Sequence, residues 1–494
     1  MSSTEAISTP ASDAAVVVGP SLLTDVIAAT RPQDEQEANR AKEYLKRFLG
    51  QVVKPGQVVS KDVETNIKHW IGEIDRKLSA QLNEVMHCPE FQTLEGTWRG
   101  LHYLVQQSET GEHLKIRVLN AKKQELQKDL EKASEFDQST LFKKIYEEEY
   151  GQLGGAPYGM LVGDYEFGRH PDDMSLVKLI SQVAAAAHAP FVANASAKMF
   201  GFDRFTELAN PRDLAKIFQS VEYASWKSFR ESEDSRYVAL TLPHVLARLP
   251  YGQDFKRVSE FNFEEFVDGK EHDKYLWMGA AWAYAARVTN AFAKDGWFAR
   301  TVGVEGGGKV EGLPVHTFPT DDGDVAMKCP TEIAISDRRE FELSNLGFLP
   351  LLHCKDRDFA VFMGSQTAQA PKKYFDSAAS ANADMSAKLH YLMCVSRFAH
   401  YLKVMARDKI GSFMEVADCE RWLNDWIKNY VVSNPQNVGE DTKAQKPLAD
   451  AKVEVREVKG KIGWYEAVAW LRPHFQLETL TASMRLVAEV PKKG

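Results

Sequence analysis

A mixed α/β fold, with mixed sheets flanked by helices and divided among several domains, is what this sequence predicts. Three observations predict it. Between about residues 114 and 375, short β-rich runs alternate with helical segments, the pattern of a mixed α/β domain. Long amphipathic stretches at helical spacing lie on both sides of that region. The chain then closes in runs with the two-residue period of strands.

The elements follow in order. Residues 1–20 are small and polar, a composition that favours a flexible leader. The stretch SLLTDVIAATRP then reads as a short amphipathic helix. Ser21 caps it, Leu22, Leu23, Val26 and Ile27 share one face, and Pro32 closes it. A charged helix over Asp34 to Leu49 leads through QVVKPGQVVS to the first long helix, near Ser60. There Val63, Ile67, Trp70, Ile71, Ile74, Leu78, Leu82 and Val85 form an apolar stripe.

Strands are expected at Leu114–Leu119, Tyr158–Val162, Tyr237–Leu242, Glu332–Ile335 and Phe359–Phe362, with helices at Ser175–Ala187 and Tyr275–Phe292. A helical block from Ser386 to Val432 precedes a polar stretch, Ser433 to Asp450, with the Pro and Asn of a flexible joint. The terminal strands follow. Val453 and Val455 alternate with charges, Ile462 and Trp464 lie beyond the break at Gly460, and Leu480, Ala482, Met484, Leu486 and Ala488 alternate in the last run. The expected division is an N-terminal arm over 1–60, a mixed α/β domain over 61–375, and a C-terminal domain over 376–494 with a polar linker over 433–450.

Composition narrows the function classes. At 494 residues the chain is long enough for more than one domain, and 44% hydrophobic with 26% charged is ordinary for a globular protein. A net charge of −8 and a pI near 6.0 favour neither nucleic acid nor an anionic membrane. No apolar run reaches the roughly 18–20 residues that span a bilayer, and the opening MSSTEAISTPASD lacks the basic and apolar regions of a secretory signal. Cys88, Cys329, Cys354, Cys394 and Cys419 are odd in number and widely spaced, as buried or free thiols in a reducing cytoplasm are.

Three features hint at catalysis, and each lacks a part. GVEGGGK (Gly303 to Lys309) has phosphate-loop spacing, but Val310 stands where a magnesium-binding hydroxyl belongs, and Glu311-Gly312-Leu313-Pro314 breaks the helix that should follow. His390, Cys394 and His400 share a helix without the paired spacing of a zinc site, and read as buried packing residues. Glu147 to Glu149 and Asp172-Asp173 read as solvated charge rather than an acid–base pair. The sequence supports no catalytic, cofactor-binding or metal-binding residue.

Several blocks of the chain resemble one known family. LEGTWRGLHYLV (Leu94 to Val105) and GMLVGDYEFGRHPDDMSLVKLISQVAAAAHAPFVANAS (Gly159 to Ser196) are similar to the signature of the large subunit of the type VI secretion contractile sheath, the TssC/VipB family. ARLPYG, YLWMGAAWAYAARV, GVEGGGKVEGLPVHTFPTDDG, the block from Thr331 to Tyr374 and GWYEAVAWLRPHFQLETLTASMRLVAEVP continue the likeness, which runs from about Val63 to Pro491.

The resemblance implies a cytoplasmic, non-enzymatic structural protein. It would pair with the small sheath subunit (TssB/VipA family), polymerise around the Hcp inner tube on a baseplate, and contract to deliver effectors. No cofactor, nucleic acid or membrane insertion is implied. A phage-type contractile tail sheath is the second reading, and a soluble α/β enzyme, sustained by GVEGGGK alone, the third.

The ends of the chain carry the expected sites. A strand-rich tail beyond a linker either completes its own sheet or pairs with another chain; the sequence allows both, and the resemblance favours the second. The pairing residues would then include Val453, Val455, Ile462, Trp464, Leu480, Met484 and Leu486. At the other end, Leu22, Leu23, Val26 and Ile27 offer little area. Burial contributes about 1.5–3 kcal/mol each, against about 1–2 kcal/mol per residue to order the backbone. Such a helix either packs on its own body or docks weakly. The resemblance implies docking of the ClpV unfoldase, with many copies along a polymer supplying avidity.

Overall fold

A computed structural model describes residues 27, 32–52, 63–211, 213–410, 415–432, 434–458, 465–474 and 476. They form two compact units: residues up to 88 together with 250–267, and residues 89–249 together with 268 onward.

The first unit contains α1 (Glu35–Val52) and α2 (Val63–Met86). Asp34 starts α1: its carboxylate accepts the Glu37 N–H at 2.7 Å, while Glu37 accepts that of Gln33 at 2.8 Å. In α2 the apolar stripe read from the sequence is only partly the covered face. Trp70, Ser79, Asn83 and Met86 are buried, whereas Ile71, Leu78 and Val85 are 52%, 44% and 52% exposed. The reason is a polar match. The Asn83 amide donates to the Glu264 carbonyl (2.8 Å) and accepts the Phe266 N–H (2.8 Å), and Ser79 accepts the Glu264 N–H (3.3 Å). One side-chain amide thus satisfies two backbone groups that burial would otherwise leave unpaired.

The second unit is built from α3 (Pro89–Gln106), β1 (Leu161–Phe167), α4 (Pro171–Ala187), β2 (Phe191–Ala195), β3 (Val238–Leu242), α5 (Ala280–Asp295), β4 (Leu349–Pro350), α6 (Leu389–Asp408), α7 (Val416–Lys428), α8 (Glu440–Gln445), β5 (Leu448–Glu457) and β6 (Tyr465–Pro473), with shorter elements between them. Strands β1 to β4 form a parallel sheet in that order, with Phe191 opposite both Leu161 and Val238. The two-residue period splits its core. Phe191, Ala193, Val238, Leu240 and Leu242 pack with Leu176, Val177, Ile180 and Val183 of α4. Val192 and Ala239 pack with the alanine-rich face of α5. A mixed α/β architecture is therefore what the residues form.

Helix α3 lies against α5 at a distance set by glycine. A Cβ at Gly96 would sit 2.6 Å from the Trp277 carbonyl oxygen, and one at Gly100 would sit 2.3 Å from the Trp282 ring. The GTWRG motif is thus a close-packing device, with small residues four apart on one face.

Several expected elements are corrected. The strand expected at Tyr158–Val162 begins later, at Leu161, and Phe359–Phe362 reduces to the two-residue strand Ala360–Val361. Among the described residues Leu114–Leu119 pairs with no strand, and near Glu332–Ile335 there is only an isolated bridge at Thr331. The polar stretch expected to be a flexible linker is folded over its described residues, into a turn at Pro435–Asn437, α8 and the start of β5. Buried Ala444 and Leu448 tie it down.

The residues that hinted at chemistry have partners of their own. Lys309 pairs with Glu311 and lies 4.3 Å from the centre of the Phe359 ring. His390 hydrogen-bonds Ser365, and His400 Nε2 donates to the Ala187 carbonyl at 2.9 Å. Burial lowers the two imidazoles to about 3 and about 4 and raises the Cys394 thiol to about 12. Asp173 accepts the Gly168 N–H at 2.7 Å and pairs with Lys123.

A polar clasp joins the ends of β1 and β3. His244 lies 2.5 Å from Glu332 and 3.0 Å from Glu166, and His272 lies 3.1 Å from Glu332. Burial opposes charge on His244, but the two carboxylates raise its pKa to about 10. Burial likewise opposes charge on Glu332, yet the bonds from His244 and His272 hold it down to about 2.

Candidate inter-subunit strand site

The C-terminal hairpin stands on α7. That helix turns Leu423 and Ile427 into a cluster with Trp297, Phe398, Leu448, Val453 and Val455. Trp297 and Phe398 stack at its centre, ring centroids 4.3 Å apart. On β5, Val453 and Val455 point into this cluster, while Lys452, Glu454 and Arg456 lie on the opposite face. There Glu454 pairs with Lys452 at 2.7 Å and with Arg456 at 2.8 Å.

Helix α7 also seals one edge of the hairpin. Glu420 and Asn424 stand one turn apart. The Asn424 amide donates to the Val453 carbonyl (2.6 Å) and accepts the Val453 N–H (3.0 Å), and Glu420 accepts the Val455 N–H at 3.0 Å. These side chains take the place of a neighbouring strand.

Among the described residues the other edge is open. In an antiparallel pair, alternate residues turn their backbone groups toward the partner and the rest turn them away. Val453 and Val455 bond outward to α7, so Lys452, Glu454 and Arg456 bond inward to their register partners Trp470, Val468 and Glu466. On β6 this leaves Ala467, Ala469 and Leu471 with outward N–H and C=O groups that meet no strand among the described residues. Beyond β6 the chain is anchored. His474 Nε2 donates to the Lys446 carbonyl at 3.0 Å, the Gln476 amide donates to the Ala299 carbonyl at 2.8 Å, and the Gln476 N–H donates to the Tyr391 hydroxyl at 2.8 Å.

The expected site residues are placed as follows. Val453 and Val455 meet at one point, on the sealed strand and facing their own core. Ile462, Trp464, Leu480, Met484 and Leu486 lie outside the described residues, as do Leu22, Leu23 and Val26. Ile27 is helical and half-buried. Sequence reading missed Glu420 and Asn424. Their spacing was visible, but nothing local marks an amide that will meet a strand 29 residues away.

Comparison with known proteins agrees with the blocks noted in the sequence. Residues 68–369 match VipB, the EvpB/VC_A0108 tail sheath N-terminal domain, and residues 378–490 match VipB_2, the EvpB/VC_A0108 tail sheath gpW/gp25-like domain. The chain belongs to the VipB family of tail sheath proteins. A curated relative, the type VI secretion system sheath protein TssC1 of Pseudomonas aeruginosa strain PAO1, is 52% identical over 463 residues, 93% of each chain. In this VipB-family chain the hairpin, its α7 support and the sealed edge all fall within the gpW/gp25-like match. The chain is thus a structural sheath component of type VI secretion. No described helix is long and apolar enough to cross a membrane.

Proposed function

We propose that the chain is the large subunit of a contractile sheath that works without catalysis in the cytoplasm. It pairs with the small sheath subunit, polymerises around the Hcp tube from a baseplate, and contracts to drive the tube outward. The observation that carries this reading is the asymmetric hairpin, one edge closed by Glu420 and Asn424 and the other open along β6. A single open edge admits strand addition in one direction only. Where the added strand comes from a different segment of a neighbouring chain the contact is head-to-tail, the kind that generates open helical polymers rather than closed dimers.

In this reading the segments with Ile462 and Trp464, and with Leu480, Met484 and Leu486, supply or receive the crossing strand. Leu22, Leu23, Val26 and Ile27 form the helix that the ClpV unfoldase grips to recycle spent sheaths. The test is co-expression with the small sheath subunit followed by electron microscopy. Wild-type chains should give tubules, and Met484→Asp with Leu486→Asp should give soluble chains without them. Tubules of normal length from the double variant would remove the last strand from the lattice.

A further inference from the structure

Helix α3 has two apolar faces; one is buried in the parallel-sheet core, and the other reaches that core only through half-buried Leu101. Gly96, Gly100 and Leu104 are buried on the side of α5. The other face carries Leu94, Trp98, Leu101 and Val105 at helical spacing, with Trp98 62% exposed. An isolated exposed apolar residue needs no explanation, but a tryptophan within a row of four does.

Beside this row lies a groove of about 500 Å³ lined by Leu101, Val105, Leu114, Ile116 and Val118. Its far wall is the segment that was expected to be a strand. There Leu114 and Ile116 are half-buried, Ile116 against the core, while Lys115 and Arg117 are exposed, a strand-like alternation that leaves the next apolar member, Val118, open to solvent. The Leu114 carbonyl accepts the Gly111 N–H at 2.9 Å, and no backbone group of residues 115–119 has a partner among the described residues.

We propose that this groove receives a strand from a second, different polypeptide, one that alternates apolar with acidic residues and pairs with the backbone of residues 115–119. Side chains alone would cover the apolar row but leave those backbone groups unpaired away from water, which is unfavourable; an added strand satisfies both. One set of its alternate side chains lies beside Leu114, Ile116 and Val118 and fills the groove. The other lies beside His113, Lys115 and Arg117. Of these, Arg117 already has Glu149, whereas Lys115 has no carboxylate within ion-pair distance among the described residues. Opposite charges across a strand pair are favourable and like charges unfavourable.

That rule also argues against this chain's own tail as the occupant. Between its apolar positions the tail carries Thr481, Ser483, Arg485, Val487 and Glu489, which brings a cation to the middle of a basic row and a carboxylate only at its end. Val453 and Val455, the other alternating run, are committed to their own core. The proposal rests on the sheath reading, in which the second polypeptide is the small sheath subunit.

The experiment is hydrogen exchange by mass spectrometry on the full chain alone and co-assembled with the small sheath subunit, repeated with Val118→Pro and Lys115→Glu. Amides 115–119 should exchange freely in the chain alone and slow by about 100-fold or more in the assembly. Val118→Pro, at an exposed position, should abolish co-purification, and Lys115→Glu should weaken it by about tenfold. Both variants should keep the wild-type circular dichroism and melting temperature.

If wild-type tubules form while amides 115–119 still exchange freely, or if both variants co-assemble as wild type does, the groove proposal is overturned and the sheath reading stands. Protection that appears in the concentrated chain alone, and does not change on adding the small subunit, would make a second copy the occupant and also overturn it. A wild-type pair that forms neither complex nor tubules would overturn both.

Discussion

A methyl group at position 100 has nowhere to go: it would lie 2.3 Å from the Trp282 ring, itself packed in the core. Gly100→Ala should therefore lower stability by about 1–3 kcal/mol, the usual cost of overpacking, even though alanine favours helix. Urea unfolding followed by tryptophan fluorescence measures it, and an unchanged midpoint would mean that α3 shifts freely on α5. The glycine spacing was legible in the sequence. Its cause was not, because the opposing tryptophan lies more than 180 residues further along.

His244 offers a second test at this scale. Its imidazole pKa is raised from 6.5 to about 10, so the stability it contributes is full below pH 6.5 and is lost as pH rises toward 10. Glu332 is depressed from 4.5 to about 2, so its contribution is full above pH 4.5 and is lost as pH falls toward 2. His244→Gln leaves a buried carboxylate short of its cation. It should cost about 3–5 kcal/mol near pH 6 and flatten the decline between pH 6.5 and 10. Stability measured against pH in wild type and variant decides it; an unchanged alkaline decline would dismiss the clasp.

At the scale of elements, the strength of the sequence signal decided what was legible. Helix α4 and strand β3 were visible from their periodicity and flanking signals. Strand β2, a fully buried run of five residues, FVANA, was not among the expected strands, since a doubly covered strand shows no alternation. Helix α2 was legible as a helix and only in part as to its covered face, which takes Trp70 from the expected stripe but leaves out Ile71, Leu78 and Val85. Its buried side depends on Asn83 meeting residues 264–266, a pairing across 181 positions that periodicity cannot register. The sealed edge of β5 is a comparable long-range polar match, and it can be opened. Asn424→Leu removes both bonds to Val453, each worth about 1–3 kcal/mol when a buried group is left unpaired. A lower melting temperature and concentration-dependent light scattering are expected, the second because a free edge templates association. A variant that melts earlier but does not scatter would mean the helix supports β5 without guarding it.

For the molecule as a whole, assembly and recycling should separate. Leu23→Asp with Ile27→Asp places charge on the N-terminal apolar face, and desolvating that charge should eliminate an already weak contact. Sheaths carrying both changes should assemble and fire once, with contracted remnants that persist under time-lapse fluorescence microscopy. Failure to polymerise would place the helix in the lattice instead. Clearance at the normal rate would place the unfoldase's grip elsewhere.

The outward row of Ile71, Leu78 and Val85 on α2 bears on how much of this protein a cell can hold unassembled. An apolar row left to water is adhesive, and salts that strengthen apolar burial make it more so. Purified alone, the chain should show a second virial coefficient that falls steeply with ammonium sulphate, and Leu78→Lys should lift that curve without altering the fold. Synthesis in excess of the sheath's other components would then carry a colloidal penalty, and the production ratio of the parts becomes a property on which selection can act.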